Sequence, residues 1–192
     1  VSARRFTAVR NWRARPIRSR GNAVLTVGLS SALAAVVAWN GFDWVVDATS
    51  STGFCLSCHE MRIMQEELSR TVHFRNRSGV LVQCGDCHVP KGKLDKLVAK
   101  VRALDDVYGH LTGIIDTPEK FEARREEMAH AARAAMKADR SQACGNCHAF
   151  EAMDFSKQAE RPKRKHDEAM SNGQTCIDCH KGVAHRLPPG FD

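Results

Sequence analysis

From its first residues the chain is polar and arginine-bearing, and then it loses charge altogether: no Asp, Glu, Lys or Arg lies between Gly21 and Phe42. Ala23 to Trp39 is almost wholly small or apolar. As a helix, this stretch spans roughly 33 Å, enough to cross a hydrocarbon layer of about 30 Å. Trp39 and Trp44 stand at one end, where amphipathic rings favour a membrane interface. A cleaved secretory signal has a shorter apolar region, about 7–15 residues, and a small-residue cleavage site that this stretch lacks. The pattern predicts a retained transmembrane anchor over residues 21–46.

Beyond it the apolar positions recur at helical spacing, in short pieces. Met61, Met64, Leu68 and Val72 form one stripe, and Leu94, Leu97, Val98, Val101 and Leu104 form a second after Pro90 and Gly92. Thr117-Pro118 supplies a cap and a first-turn proline for a third helix through Phe121 and Met128 to about Ala138. The basic stretch at Arg161-Pro162-Lys163 reads as a solvated loop. No alternating pattern long enough for a strand occurs. The expected fold class is therefore mostly α with irregular connecting loops, behind one N-terminal transmembrane helix.

Charge sharpens this picture. The net charge is +7, but residues 1–20 hold seven arginines (Arg4, Arg5, Arg10, Arg13, Arg15, Arg18, Arg20) and no acid. Residues 21–192 carry 22 basic and 22 acidic side chains, so a nucleic-acid partner loses its electrostatic support. By the positive-inside rule, residues 1–20 form a cytoplasmic tail and residues 47–192 lie outside, in the periplasm of a bacterial inner-membrane protein. All three tryptophans fall within the first 44 residues. The interior of the outer domain must be filled by something other than large aromatic side chains.

The cysteines say what that is. All eight fall into one pattern: Cys55-x-x-Cys58-His59, Cys84-x-x-Cys87-His88, Cys144-x-x-Cys147-His148 and Cys176-x-x-Cys179-His180. CxxCH is the attachment signature of c-type haem, in which two thiols bind the porphyrin and the histidine reaches the iron. Structural zinc, disulfides and thioredoxin-like pairs also use cysteine pairs, but none requires a histidine after the second cysteine four times over. Four covalently bound haem c groups are predicted, and they supply the missing apolar bulk. The motifs begin at 55, 84, 144 and 176. Two close pairs separated by a longer insert suggest two dihaem units.

Three further segments carry a resemblance. Cys55-Leu-Ser-Cys58-His59-Glu-Met61, His180-Lys-Gly-Val-Ala-His185 and Asp116-Thr-Pro-Glu-Lys-Phe-Glu122 are similar to the NapC/NirT family, and most to its NapC branch. These are membrane-anchored tetrahaem cytochromes c that oxidise quinol and feed periplasmic reductases. The resemblance implies electron transfer from membrane quinol, menaquinol or ubiquinol, to a reductase of the nitrate or nitrite type. It also implies contact with membrane lipid; homo-oligomerisation is left open. An electron shuttle tethered to the membrane without its own quinol site is the alternative. A reductase in its own right ranks lower, because no cluster of basic side chains accompanies the first motif.

For the axial ligands the resemblance pairs His185 with His148, His73 with His180, and His166 with His88. His185 sits five residues after His180, too close to serve that haem from its other side. His110, after Tyr108-Gly109, is the alternative for the second haem, as is a lysine from a partner. His130 lies opposite the Phe121–Met128 face and is expected at the surface. At the first haem either His59 or Met61 is the ligand, since the nitrite-reductase branch uses the corresponding methionine. No histidine of obvious identity remains for its other face, which is expected to be open or blocked by a carboxylate. Lys100 and Asp106 resemble the family's quinol-site lysine and acid, and Asp105 is adjacent.

Overall fold

The computed structural model describes residues 18–191. The chain divides after Trp44 into two compact units. The first is built on helix α1, Arg18–Ala48, whose segment Gly21–Ala48 has a mean hydropathy of 1.7 and buries nothing. Its length and composition suffice to cross a membrane. Three of its polar side chains bond back to the helix's own carbonyls: Thr26 Oγ1 donates to Asn22 at 2.8 Å, Ser30 Oγ to Val27 at 3.0 Å, and Asn40 Nδ2 to Val36 at 2.7 Å. That arrangement suits an apolar medium, where an unmet polar group is costly. Of the predicted 1–20 tail, residues 1–17 lie outside the described residues, while Arg18 and Arg20 belong to the first turn of α1.

The second unit is helical, with no strand among the described residues. Its helices are α2 (Thr52–Cys55), α3 (Arg62–Ser69), α4 (Cys84–His88), α5 (Lys93–Arg102), α6 (Leu104–Leu111), α7 (Pro118–Ala123), α8 (Arg125–Ala138), α9 (Gln142–Gly145), α10 (Glu160–Ser171) and α11 (Cys176–Cys179). Thr117 caps α7 by accepting from the Lys120 amide, with Pro118 at the first helical position, as the sequence predicts. The expected run to Ala138 is interrupted at Arg124, which separates α7 from α8. The solvated loop expected at Arg161-Pro162-Lys163 is instead the start of α10. Pro162 falls in the first turn, where a missing N–H removes no intrahelical bond, so the proline begins the helix rather than breaking it.

The polypeptide builds little apolar core of its own. Among the described residues Leu68, Ile115, Phe121 and Phe191 are the buried hydrophobic side chains. The best-knit part is polar. Arg125, 6% exposed, uses all five of its N–H donors: two go to the Glu67 carboxylate at 2.9 and 3.1 Å, two to Glu122, and one to the Arg186 carbonyl at 3.2 Å. Arg186 returns its backbone N–H to Glu67 at 3.0 Å and its guanidinium to Glu122 at 3.1 Å. Helices α3, α7 and α8 and the C-terminal segment meet at this one cluster.

The cluster makes stability depend on pH. The hydrogen bond from Arg125 holds the Glu122 carboxyl below the usual glutamate range. A depressed folded-state pKa contributes stability at neutral pH and loses it as pH falls from about 4.3 through the folded value. Glu122→Gln should therefore flatten the fall of melting temperature below about pH 4.3, measured by circular dichroism across pH 3 to 7. An unchanged slope would mean that Glu122 does not couple acid to folding.

Candidate metal and cofactor centres

Each cysteine pair lies on a short helix or just after one, and the motif's own residues help to start it. Asp86, between Cys84 and Cys87, accepts from the Gln83 amide at 2.9 Å. Asp178, between Cys176 and Cys179, accepts from the Thr175 amide and hydroxyl, each at 2.9 Å. These are reciprocal caps, which satisfy orphan N–H groups at a helix start. Ser51 does the same for α2, its Oγ accepting from the Phe54 amide. The eight cysteines form no disulfide with one another.

The attachment helices pack in chain order. Thr52 Oγ1 accepts from the Cys84 amide at 3.3 Å, joining α2 to α4. At Gly85 a Cβ would sit 2.7 Å from the Ser50 carbonyl oxygen, so only glycine permits that approach. Helix α4 packs on α9. Ser141, buried and left-handed at φ 59°, accepts from the Ile177 amide at 3.1 Å and ties α9 to α11. The second and third motifs thus adjoin like the others.

Four pairs of imidazoles face one another. The ring centroids lie 6.0 Å apart for His59 and His110, 6.3 Å for His73 and His148, 6.2 Å for His88 and His185, and 6.0 Å for His166 and His180. Two metal–nitrogen bonds of about 2 Å, with the rings extending beyond each nitrogen, require a separation of roughly 6 Å. The spacing fits an iron between two histidines in every pair. Three of the outer histidines also have Nδ1 turned to an acceptor: His73 to the Val183 carbonyl at 3.2 Å, His110 to Glu60 at 2.7 Å, His166 to Gln158 at 2.8 Å. Such partners orient a ligating imidazole and leave Nε2 for the metal.

The pairings differ from those the resemblance implied. His88 faces His185 rather than His166, His148 faces His73 rather than His185, and His180 faces His166 rather than His73. His110, the alternative for the second motif, faces the first motif's His59, so that motif is not left without a second histidine. Linear spacing carries no record of which segments cross, and the Glu67–Arg186 bond, which sets the course of the segment bearing His185, joins residues 119 positions apart. Met61 closes the single turn His59–Met61. His130 is exposed, against Phe191 at 4.4 Å, as expected.

Lys100 and Asp106 do not meet at one motif. The Lys100 ammonium donates to the Thr49 carbonyl and lies over the Phe54 ring at 5.9 Å. Desolvation beside the first motif lowers its pKa. Asp106 lies near His88 of the second motif, its carboxyl pushed up by desolvation and then by Asp105. Sequence reasoning gave no role to Glu60, which is 2% exposed and bonded to His110. An acid wedged between a haem-motif histidine and an apolar stripe was the signal that could have found it.

Comparison with known proteins places this arrangement. The profile described as NapC/NirT cytochrome c family, N-terminal region, matches residues 18–190. The chain is 43% identical over 187 residues to the cytochrome c-type protein NapC of Escherichia coli (strain K12), covering 94% of this chain and 92% of that protein. It is 45% identical over 182 residues to NapC of Paracoccus pantotrophus, covering 92% and 76%. With the denitrification system component NirT of Stutzerimonas stutzeri it shares 44% over 169 residues, covering 88% and 83%. No solved structure matches the chain significantly.

Proposed function

This chain belongs to the NapC/NirT cytochrome c family, and from that premise we propose that it is a membrane-anchored tetrahaem cytochrome that oxidises quinol and passes the electrons to a periplasmic reductase of the nitrate or nitrite type. The observation that carries the reading is the set of four facing imidazole pairs beside attachment helices packed in chain order. Bound haem c supplies one-electron carriers, tuned by axial ligands and hydrogen bonding. Cys55 and Cys58, Cys84 and Cys87, Cys144 and Cys147, and Cys176 and Cys179 would hold the four macrocycles. His59 with His110, His88 with His185, His148 with His73, and His180 with His166 would hold the four irons. Helix α1 is the anchor, with the arginine tail in the cytoplasm and the haem domain in the periplasm.

Quinol oxidation releases two protons with its two electrons, so a proton acceptor must stand near the electron acceptor. Lys100 fits best at the first motif. It is held against Phe54 and the Thr49 carbonyl, and desolvation lowers its pKa from the ordinary lysine value. Asp106 serves nearer the second motif, where its raised pKa suits it to hold a proton in transit. Lys100→Ala should slow reduction of the purified cytochrome by a quinol by about 10²-fold. Reduction by dithionite, which needs no proton acceptor, should be unchanged. Asp106→Ala should have a smaller effect of the same kind. Equal quinol and dithionite behaviour in both variants would place the quinol site elsewhere. No quinol-dependent reduction in the unaltered protein would favour the tethered shuttle.

A further inference from the structure

Glu60 is the largest fully buried side chain among the described residues, at 2% exposure. It stands in the single turn that also carries His59, so one short segment provides both a motif histidine and this carboxylate. Its Oε1 lies 2.7 Å from His110 Nδ1. Its Oε2 lies 3.8 Å from His59 Nδ1 and is buried without a hydrogen-bond partner. The two imidazoles are the groups with which it forms ion pairs in the described residues. A buried carboxylate with no lysine or arginine against it is costly for a fold to keep.

The other three histidines that face a motif histidine are held differently. His73 is turned to a backbone carbonyl and His166 to an amide oxygen, both neutral. The carboxylate nearest His185 is that of Glu67, 3.9 Å away and already engaged by Arg125 and Arg186. Only His110 has an acid facing it that no cation neutralises.

We propose that Glu60 is a positioning residue for the first haem: it accepts the Nδ1–H of His110, so that Nε2 faces the iron, and its charge lowers the midpoint potential of that haem relative to the other three. The inference rests on the reading of His59 and His110 as axial ligands. A carboxylate accepting from a ligating imidazole makes the ring a stronger donor, and a stronger donor favours the ferric state. Of the hydrogen bonds that the facing histidines make, that of His110 is the one that goes to a carboxylate.

The test uses the full-length haem-loaded protein, with redox potentiometry and electron paramagnetic resonance read on each variant. Glu60→Gln keeps an acceptor oxygen and removes the charge. One of the four potentiometric components should move upward while all four haems stay low-spin. Glu60→Ala removes the acceptor as well, and a high-spin fraction should appear that glutamine at the same position abolishes. His110→Ala should turn one haem wholly high-spin. Four unmoved potentials in Glu60→Gln, with a high-spin haem in His110→Ala, would overturn the role of Glu60 alone. Four low-spin haems in His110→Ala would overturn the ligand reading beneath it. Should Glu60→Ala fail to mature, the potential of Glu60→Gln still decides.

Discussion

Alanine at position 185 is expected to turn the haem of the second motif high-spin and to leave the third unchanged. His185 faces His88 at 6.2 Å, whereas His148 is faced by His73 at 6.3 Å. The ring planes tell the two apart. His88 and His185 are inclined by 32°, but His73 and His148 by 88°. Nearly parallel axial imidazoles give a rhombic low-spin signal, and perpendicular ones give an axial signal with one very large g value. His185→Ala should therefore remove a rhombic component and add a high-spin one, equivalent to one haem of the four. His73→Ala should instead remove a large-g component, and His130→Ala should do neither. Loss of the large-g signal in His185→Ala would restore the pairing the family resemblance implied. Electron flow from the quinol side should stop in this variant even though all four cofactors stay attached.

Arg125→Ala should be the most destabilising single change in the helical domain. The guanidinium stands between Glu67 and Glu122, and its removal leaves two poorly hydrated carboxylates close together. Breaking a buried ion pair on one side costs about 3–5 kcal/mol. For a domain of this size that corresponds to a fall in melting temperature of roughly 10 °C. The damage should spread to the second haem, because Arg186, next to His185, loses its bond to Arg125 and its neighbours repel. Adding Glu67→Gln should recover part of the loss, a coupling that a double-mutant cycle measures. A loss under about 1 kcal/mol would mean that the cluster is no stronger than an exposed pair.

The cofactor chemistry was legible because covalent attachment needs contiguous residues, and a contiguous motif survives in the sequence as it stands. The anchor was legible for a similar reason, since a bilayer demands an unbroken apolar run. Thr117-Pro118 announced α7 through local backbone chemistry. Other features depend on what approaches through space. Nothing in the spacing of His73, His166 and His185 says which motif each will face, and family resemblance gave a different set of partners from the structure. Pro162 misled because a first-turn proline and a loop proline look alike until the helix is seen. Asp86 and Asp178 cap their helices from inside the motifs, by local backbone chemistry of the same kind.

The crossing of segments between motifs also gives the protein an order of completion. With the proposed ligand pairs, the third and fourth haems would find His73 and His166 already outside as synthesis proceeds toward the C-terminus. The first must wait for His110. The second is attached early, yet its outer ligand comes nearly a hundred residues later, at His185. Of the four facing pairs, this would be the last to be completed along the chain. The segment that carries His185 would thus work as a latch, docked through the Arg186 amide on Glu67.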